Sequence, residues 1–250
     1  MSGPEVIRVA STAALDAELS RAGIALSRPV LVVVGGASGM GSEPPPALAA
    51  LCSDQLVPTL DRLGVTVVDG GTDAGVMRLI GQARSRARAS FPLIGVAAAG
   101  TVTLPGKQPP SADSASAETR HTHLIIVPGT RWGDESPWLA AAATSIAAGG
   151  PSTTLLVNGG AIAYTDALHS LAAGRSVLVL NGSGRAADDI ARARTGAQAC
   201  DQAARIAGSA LTQIVALEEP ARVMSAITDI LSARDTAFAA VAQNVPSTVQ

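Results

Sequence analysis

Short apolar runs without polar alternation recur along this chain, and each stops at small residues. They are Val30-Leu-Val-Val-Val34, Val65-Thr-Val-Val68, Leu93-Ile-Gly-Val96, Leu124-Ile-Ile-Val127, Thr154-Leu-Leu-Val157 and Val177-Leu-Val-Leu180, with a weaker one at Gln213-Ile-Val-Ala-Leu217. A strand with one wet face alternates polar and apolar residues, whereas an unbroken run is covered on both faces. The segments between the runs carry helical stripes. Leu48, Leu51, Leu56, Leu60 and Leu63 follow Pro44-Pro45-Pro46, where proline can start a helix but not continue one. Tyr164, Leu168 and Leu171 form a second stripe, and Val223, Ile227, Ile230 and Leu231 a third, opened by Glu218-Glu219-Pro220. Strand and helix alternate throughout, which predicts βαβ units and a doubly wound, mainly parallel α/β sheet with helices on both faces.

Length and composition suit one such domain. The 250 residues are 47% hydrophobic but only 2% aromatic, so the core must be built from Val, Leu, Ile and Ala. The domain is expected over residues 1–234, with the first strand and helix at about Val6 to Ala22, and a flexible tail over residues 235–250. Residues Ala99 to Arg120 show no periodicity and read as a mobile lid or a disordered loop. A net charge of −2 offers no basic footprint for nucleic acid, and the near-absence of lysine (Lys107 alone) reflects composition rather than binding. Cys52 and Cys200 are too few for a disulfide framework or zinc cluster and are expected to be buried small hydrophobes. Neither a signal peptide nor a run of membrane-spanning length is visible; no membrane association and a cytoplasmic location are the expectation.

The chemistry lies where the runs end. Gly35-Gly-Ala-Ser-Gly-Met-Gly41, Asp69-Gly-Gly-Thr-Asp-Ala-Gly-Val76, Asn158-Gly-Gly160 and Asn181-Gly-Ser-Gly-Arg185 are glycine-rich, and a fifth run ends in Pro128-Gly-Thr-Arg-Trp-Gly-Asp-Glu-Ser136. In a parallel sheet all five loops converge on one rim, where ligands of such sheets bind. Glycine lets backbone approach a ligand, and amides at helix starts attract anions, so phosphate is the natural guest. Ser38, Thr72 and Ser183 offer hydroxyls; Arg185, Arg78 and Arg131 offer charge; Trp132, in the rim loop, either stacks on a base or simply packs. Trp138, at helical spacing from Glu135, reads as core.

Several sharper signatures are missing. Gly36-Ala-Ser-Gly-Met-Gly41 is neither the G-x-G-x-x-G of a hydride-transferring dehydrogenase nor a Walker loop, and it lacks the last glycine of a nucleophile elbow. His121 and His123 share one strand face at i, i+2 but have no third metal ligand in sight, so a structural or ligand-contacting role for one of them is expected. No metal and no cofactor are expected.

Taken in order, Asp69-Gly-Gly-Thr-Asp-Ala-Gly-Val-Met77, Ile94-Gly-Val-Ala-Ala-Ala-Gly-Thr-Val102, His121-Thr-His-Leu-Ile-Ile-Val127, Asn158-Gly-Gly160 and Gly182-Ser-Gly-Arg-Ala-Ala-Asp188 resemble the N-terminal cytosolic homology region of TRPM channels. The chain is thereby similar to the SLOG superfamily (Smf/DprA and LOG-like) in its prokaryotic TRPM-associated branch, over roughly Arg28 to Leu231. The resemblance implies a Rossmann-like fold, a nucleotide-type small molecule such as ADP-ribose as ligand, and a homodimer. It places Gly35, Gly36, Ala37, Ser38, Gly39 and Met40, then Gly70, Gly71, Thr72, Gly75 and Val76, then Gly182, Ser183, Gly184 and Arg185 along the site. Gly129, Thr130, Arg131, Trp132, Asn158, Gly159 and Gly160 complete the rim. Asp134 and Glu135 would face the ribose or base.

The chain departs from the family in two ways. It shows no channel segment, and Pro128-Gly129 is followed by Thr-Arg-Trp-Gly rather than by the intact Pro-Gly-Gly-x-Gly-Thr-x-x-Glu motif of LOG phosphoribohydrolases, although Glu135 falls close to the acidic position. Two roles therefore stand open for Asp134 and Glu135: capping the next helix, or stabilising charge and activating water in N-glycosidic hydrolysis. The function expected first is a soluble ligand sensor for a phosphate-bearing nucleotide, with a nucleoside monophosphate hydrolase as the alternative.

Overall fold

The computed structural model describes residues 3–36 and 44–233. In chain order the elements are β1 (Glu5–Arg8), a 3-10 turn (Thr12–Ala14), α1 (Leu15–Arg21), β2 (Val30–Gly35), α2 (Pro46–Ala50), a π-helical stretch (Leu51–Leu56), α3 (Val57–Leu63), β3 (Thr66–Asp69) and α4 (Gly75–Ala87). They continue with β4 (Leu93–Ala98), β5 (Val102–Thr103), β6 (Ala115–Ser116), β7 (His123–Val127), α5 (Ser136–Ala147), β8 (Ser152–Val157), α6 (Ala161–Ala172), β9 (Ser176–Asn181), α7 (Arg185–Arg194), α8 (Asp201–Gly208), β10 (Thr212–Ala216) and α9 (Pro220–Leu231). The π-helical widening precedes Pro58, whose ring would otherwise press on the carbonyl one turn back.

Eight strands form one sheet in the order β1-β7-β4-β3-β2-β8-β9-β10, and every pairing is parallel. From β2 the chain first winds outward through β3, β4 and β7, then returns to build β8, β9 and β10 on the other side. The apolar runs supply both faces at once. Along β2, Val30, Val32 and Val34 enter a core shared with α1, α5, α6, α7 and α8. Leu31 and Val33 enter the opposite core with α2, α3, α4 and α9. Each such buried side chain contributes about 1.5–3 kcal/mol, which explains why these strands tolerate no polar alternation.

Two expectations are corrected. Between Ala99 and Arg120 the chain pairs β5 with β6, and Thr72 forms a bridge with Ala117. The amides of Ala115, Ala117 and Glu118 donate to the carbonyls of Thr101, Thr103 and Gly71, each at 2.9 Å. Strands of two residues are too short to leave a period in the sequence, so hydrogen bonding is what orders this segment. Cys52 is buried as expected, but Cys200 is exposed at the position preceding α8. The expected tail over residues 235–250 lies outside the described residues.

The loop after β3 touches the middle of β4 backbone to backbone. A Cβ on Gly95 would stand 2.5 Å from Gly71 Cα and 2.7 Å from Leu124 Cδ1. Gly71 itself has φ +68°, in the left-handed region that glycine occupies without strain. Gly95→Ala is therefore expected to lower stability by about 1–3 kcal/mol, as overpacking does. Urea denaturation reads this as a lower midpoint at unchanged slope, and a variant as stable as the parent would mean that the β3 loop moves away from β4 at no cost.

Candidate functional site

At the C-terminal edge, β2 and β8 are neighbours although the chain leaves them in opposite directions, and this reversal opens a crevice. A cavity of about 540 Å³ occupies it. All five rim loops reach the cavity: Gly35 and Gly36 after β2, Gly70 and Thr72 after β3, Trp132 and Glu135 after β7, Gly160 after β8, and Arg185 after β9. Asp113 and Ala115, from the β5–β6 segment, also line it. The indole N–H of Trp132 donates to the Asp113 carbonyl at 3.0 Å, which ties the ring to that segment.

Other candidate residues hold the rim together instead of lining it. Asn158 Nδ2 donates to the Ser183 carbonyl at 2.8 Å, and Ser183 Oγ accepts from the Asn158 amide at 2.7 Å while donating to the Leu180 carbonyl. The amides of Gly182 and Gly184 both donate to Asp188 Oδ1, at 2.7 and 3.1 Å. Those N–H groups, expected to meet phosphate, thus have an internal acceptor. Gly159 donates to Asn158 Oδ1, and its backbone lies against Ala163. Gly71 packs on Gly95, Gly75 opens α4, and Val76 is fully buried. Gly129 lies against Asp134. Arg78 is occupied with Asp73, while Arg131 stays exposed on the Asp134 loop. Ala37, Ser38, Gly39 and Met40 lie outside the described residues.

Neither acidic residue of the β7 loop caps α5 with its side chain. Asp134 Oδ2 accepts the amides of Thr130 and Arg131 at 2.9 and 3.0 Å, closing its own loop, and these bonds hold its carboxyl below the usual range. Glu135 occupies the N-cap position, yet both its oxygens accept the Gly133 amide. Burial raises its pKa. Asp134 is absent from the cavity wall and Glu135 is part of it.

Arg185 takes the position between two loops. Its guanidinium would lie 3.1 Å from a Cβ on Gly160, a tight approach, and at an ordinary 3.6 Å from one on Gly36, where Asn158 Oδ1 at 2.7 Å is the close neighbour. Its backbone has φ +50°, a strained conformation for a non-glycine residue, at the first position of α7. Among the described residues no carboxylate pairs with it.

Sequence reasoning missed Asp166, which lines the cavity from the second turn of α6. Its Oδ1 is buried without a partner, and burial pushes the carboxyl up to about 7 against a lesser opposing effect of the Ser136 hydroxyl. No glycine or motif marks it, and at mid-helix it lies off the Tyr164, Leu168, Leu171 stripe, so the sequence carried no signal for it.

The histidines separate. His123, at the start of β7, bonds to Thr122 and points toward Glu5 of the edge strand. His121 is fully buried, with Nε2 2.7 Å from Asp69 Oδ1 and Nδ1 2.9 Å from Glu118 Oε2. Arg120 closes on Glu118 through its amide and guanidinium at 2.8 and 2.6 Å. Asp69 Oδ1 also accepts the Gly71 amide at 2.7 Å, so this cluster fixes the β3 loop against the β5–β6 segment. Burial alone would lower the imidazole pKa, but the two carboxylates overcome it and hold His121 at about 9. The histidine role expected from the sequence is thus structural. Among the described residues no group of three or more His, Cys, Asp or Glu could hold a metal, and no helix is long and apolar enough to cross a membrane.

Fold and site together define a doubly wound, Rossmann-like α/β protein with a rim cavity at its switch point. Residues 28–225 match the family described as SLOG in TRPM, prokaryote, and the chain belongs to that family. Its fold is similar to that in the X-ray structure of TM1055, a Northeast Structural Genomics Consortium target. The TM-score is 0.52 and the identity 21%, over 79% of this chain and 99% of that one. A search of curated proteins finds no match.

The raised His121 pKa carries a sign for stability. The charged imidazole contributes fully below its unfolded value of 6.5, and the contribution is lost as pH rises through about 9. Stability against thermal unfolding is expected to fall across that window, by on the order of 3 kcal/mol at most. His121→Gln should remove this alkaline slope; a slope unchanged in the variant would place its origin elsewhere.

Proposed function

We propose that the chain binds a phosphate-bearing, nucleotide-derived ligand of the ADP-ribose or nucleotide type in the switch-point cavity and acts as its sensor. The observation that carries this reading is Arg185. A guanidinium held in a strained backbone conformation, set against Gly36 and Gly160 and lacking a carboxylate among the described residues, is a cation waiting for an anion. The cavity volume of about 540 Å³ is in the range of small-molecule sites. Trp132 on the same wall offers a flat surface for a base, and its anchored indole keeps that surface in one orientation.

A second reading, hydrolysis of a nucleoside monophosphate at its N-glycosidic bond, is favoured by Glu135. This carboxyl faces the cavity and is pushed upward by burial, toward the range where it exchanges protons. The two readings share the ligand class and differ in what becomes of the ligand.

A thermal-shift screen against nucleoside monophosphates, ADP-ribose, NAD and cyclic dinucleotides, with each stabilising compound then chromatographed, tests both. A compound recovered intact supports the sensor; release of base and ribose phosphate, lost in Glu135→Gln, supports the hydrolase. Arg185→Ala is expected to weaken a nucleoside monophosphate about 10- to 100-fold while leaving the matching nucleoside nearly unchanged, the range of a charge-assisted hydrogen bond. Equal losses for both would remove Arg185 from the phosphate site.

A further inference from the structure

The cavity has opposite chemistry at its two ends. Arg185 stands over Gly160 at the start of α6. Six residues along that helix, about 9 Å at 1.5 Å per residue, Asp166 faces the same space. Glu135 lines the cavity beside it, and the buried hydroxyl of Ser136 lies next to the Asp166 carboxyl. Among the described residues the charged groups lining the cavity are Asp113, Glu135, Asp166 and Arg185. No Arg, Lys or His among the described residues pairs with either Glu135 or Asp166.

Two carboxyls on one largely apolar wall oppose each other's ionisation; a proton taken up by one relieves this in the free protein, and a cation bound between them would replace that proton. Burial first, and the Glu135 charge in addition, hold Asp166 up at about 7. Three neighbouring features decide which kind of cation fits. Met77, Leu139 and Ile162 surround the space with hydrocarbon, which disfavours a strongly hydrated ammonium or metal ion. Among the described residues no three acidic, His or Cys donors come together as a metal-holding group, so a protein-held divalent ion is not supported. Trp132 supplies an aromatic surface, which attracts a delocalised ring cation.

The geometry points to a ligand class: a ribonucleotide whose heterocycle is itself positively charged, with its phosphate at Arg185 and its cationic ring between Trp132 and the Glu135–Asp166 pair. This inference rests on the phosphate-binding reading above and adds the identity of the other end. Asp166 is then a specificity-determining residue, selecting for charge rather than for the sugar.

Nicotinamide mononucleotide and its reduced form are a suitable pair of probes, because they differ little in shape while only the oxidised ring is a cation. Titration calorimetry of the purified chain is expected to show the oxidised form binding at least about ten-fold more tightly. Because a proton on Asp166 competes with the ring cation, affinity for the oxidised form should rise from about pH 6 to about pH 8, with proton release visible as a buffer-dependent enthalpy. The oxidised-to-reduced affinity ratio should rise with it, since ionisation of the phosphate at about pH 6 acts on both forms alike. Asp166→Asn and, independently, Glu135→Gln should bring the oxidised-to-reduced ratio toward one, with melting temperature confirming that each variant folds. Arg185→Ala should weaken both forms alike.

If both forms bind equally in an Arg185-dependent manner, the charge selection is overturned and the phosphate site stands. If magnesium strengthens AMP binding through Asp166, the carboxyl pair belongs to a metal and the inference is overturned. If no mononucleotide binds at all, the phosphate reading falls and this one falls with it.

Discussion

Strand β2 is hydrogen-bonded to β3 on one side and to β8 on the other, and from that arrangement the site follows. A parallel sheet needs a crossover after every strand, so a chain that has wound outward from β2 can extend the sheet on the other side only by returning over it. The two neighbouring loops then leave in opposite directions, and no connection fills the space between them. The crevice is thus a consequence of topology, and side chains only furnish it. Gly35, paired with Val157 across this seam, stands against the Val157 carbonyl, where a side chain would not fit.

Buried charge is treated in two contrasting ways in this molecule. Around His121 every charged group has partners: the imidazole lies between Asp69 and Glu118, and Arg120 closes on Glu118. Even α4 accommodates the cluster, since a Cβ at Gly81 would stand 2.6 Å from Glu118 Oε2. A paired cluster of this kind pins two loops to one another. At the cavity the opposite holds. Among the described residues Arg185 lacks a carboxylate, Asp166 and Glu135 lack a cation, and Asp166 leaves one oxygen unsatisfied. Desolvated groups left without partners are costly in an empty protein, and a ligand carrying the complementary groups recovers that cost on binding.

The glycines divide along the same line. Gly36, Gly70 and Gly160 face the cavity, and at Gly160 the absence of a side chain leaves room for Arg185. Gly71 and Gly95 instead let the loop after β3 meet the middle of β4, and Gly182 and Gly184 turn their amides onto Asp188. In the sequence all of them look alike, because a glycine records only that something comes close to the backbone. Whether the neighbour is a ligand, a strand or a carboxylate depends on residues distant in the chain.

Local and regular features were legible from the sequence alone. Apolar runs fully covered by helices reveal strands because burial on both faces excludes polar residues position by position, and the family was readable from the rim motifs that those strands carry. Convergence of five loops on one rim, with Arg185, Trp132 and Glu135 at the cavity, also follows from strand direction. What tertiary structure alone decided depends on contacts between distant segments. Glu118 and Asp69 meet at His121 across roughly fifty residues, the β5–β6 segment is ordered by bonds to the β3 loop, and Asp166 comes to Glu135 only when α6 packs beside α5. Sequence patterns report the average environment of a residue, buried or exposed. The pairing of charges depends on which segments the crossovers bring together, and no local pattern encodes that.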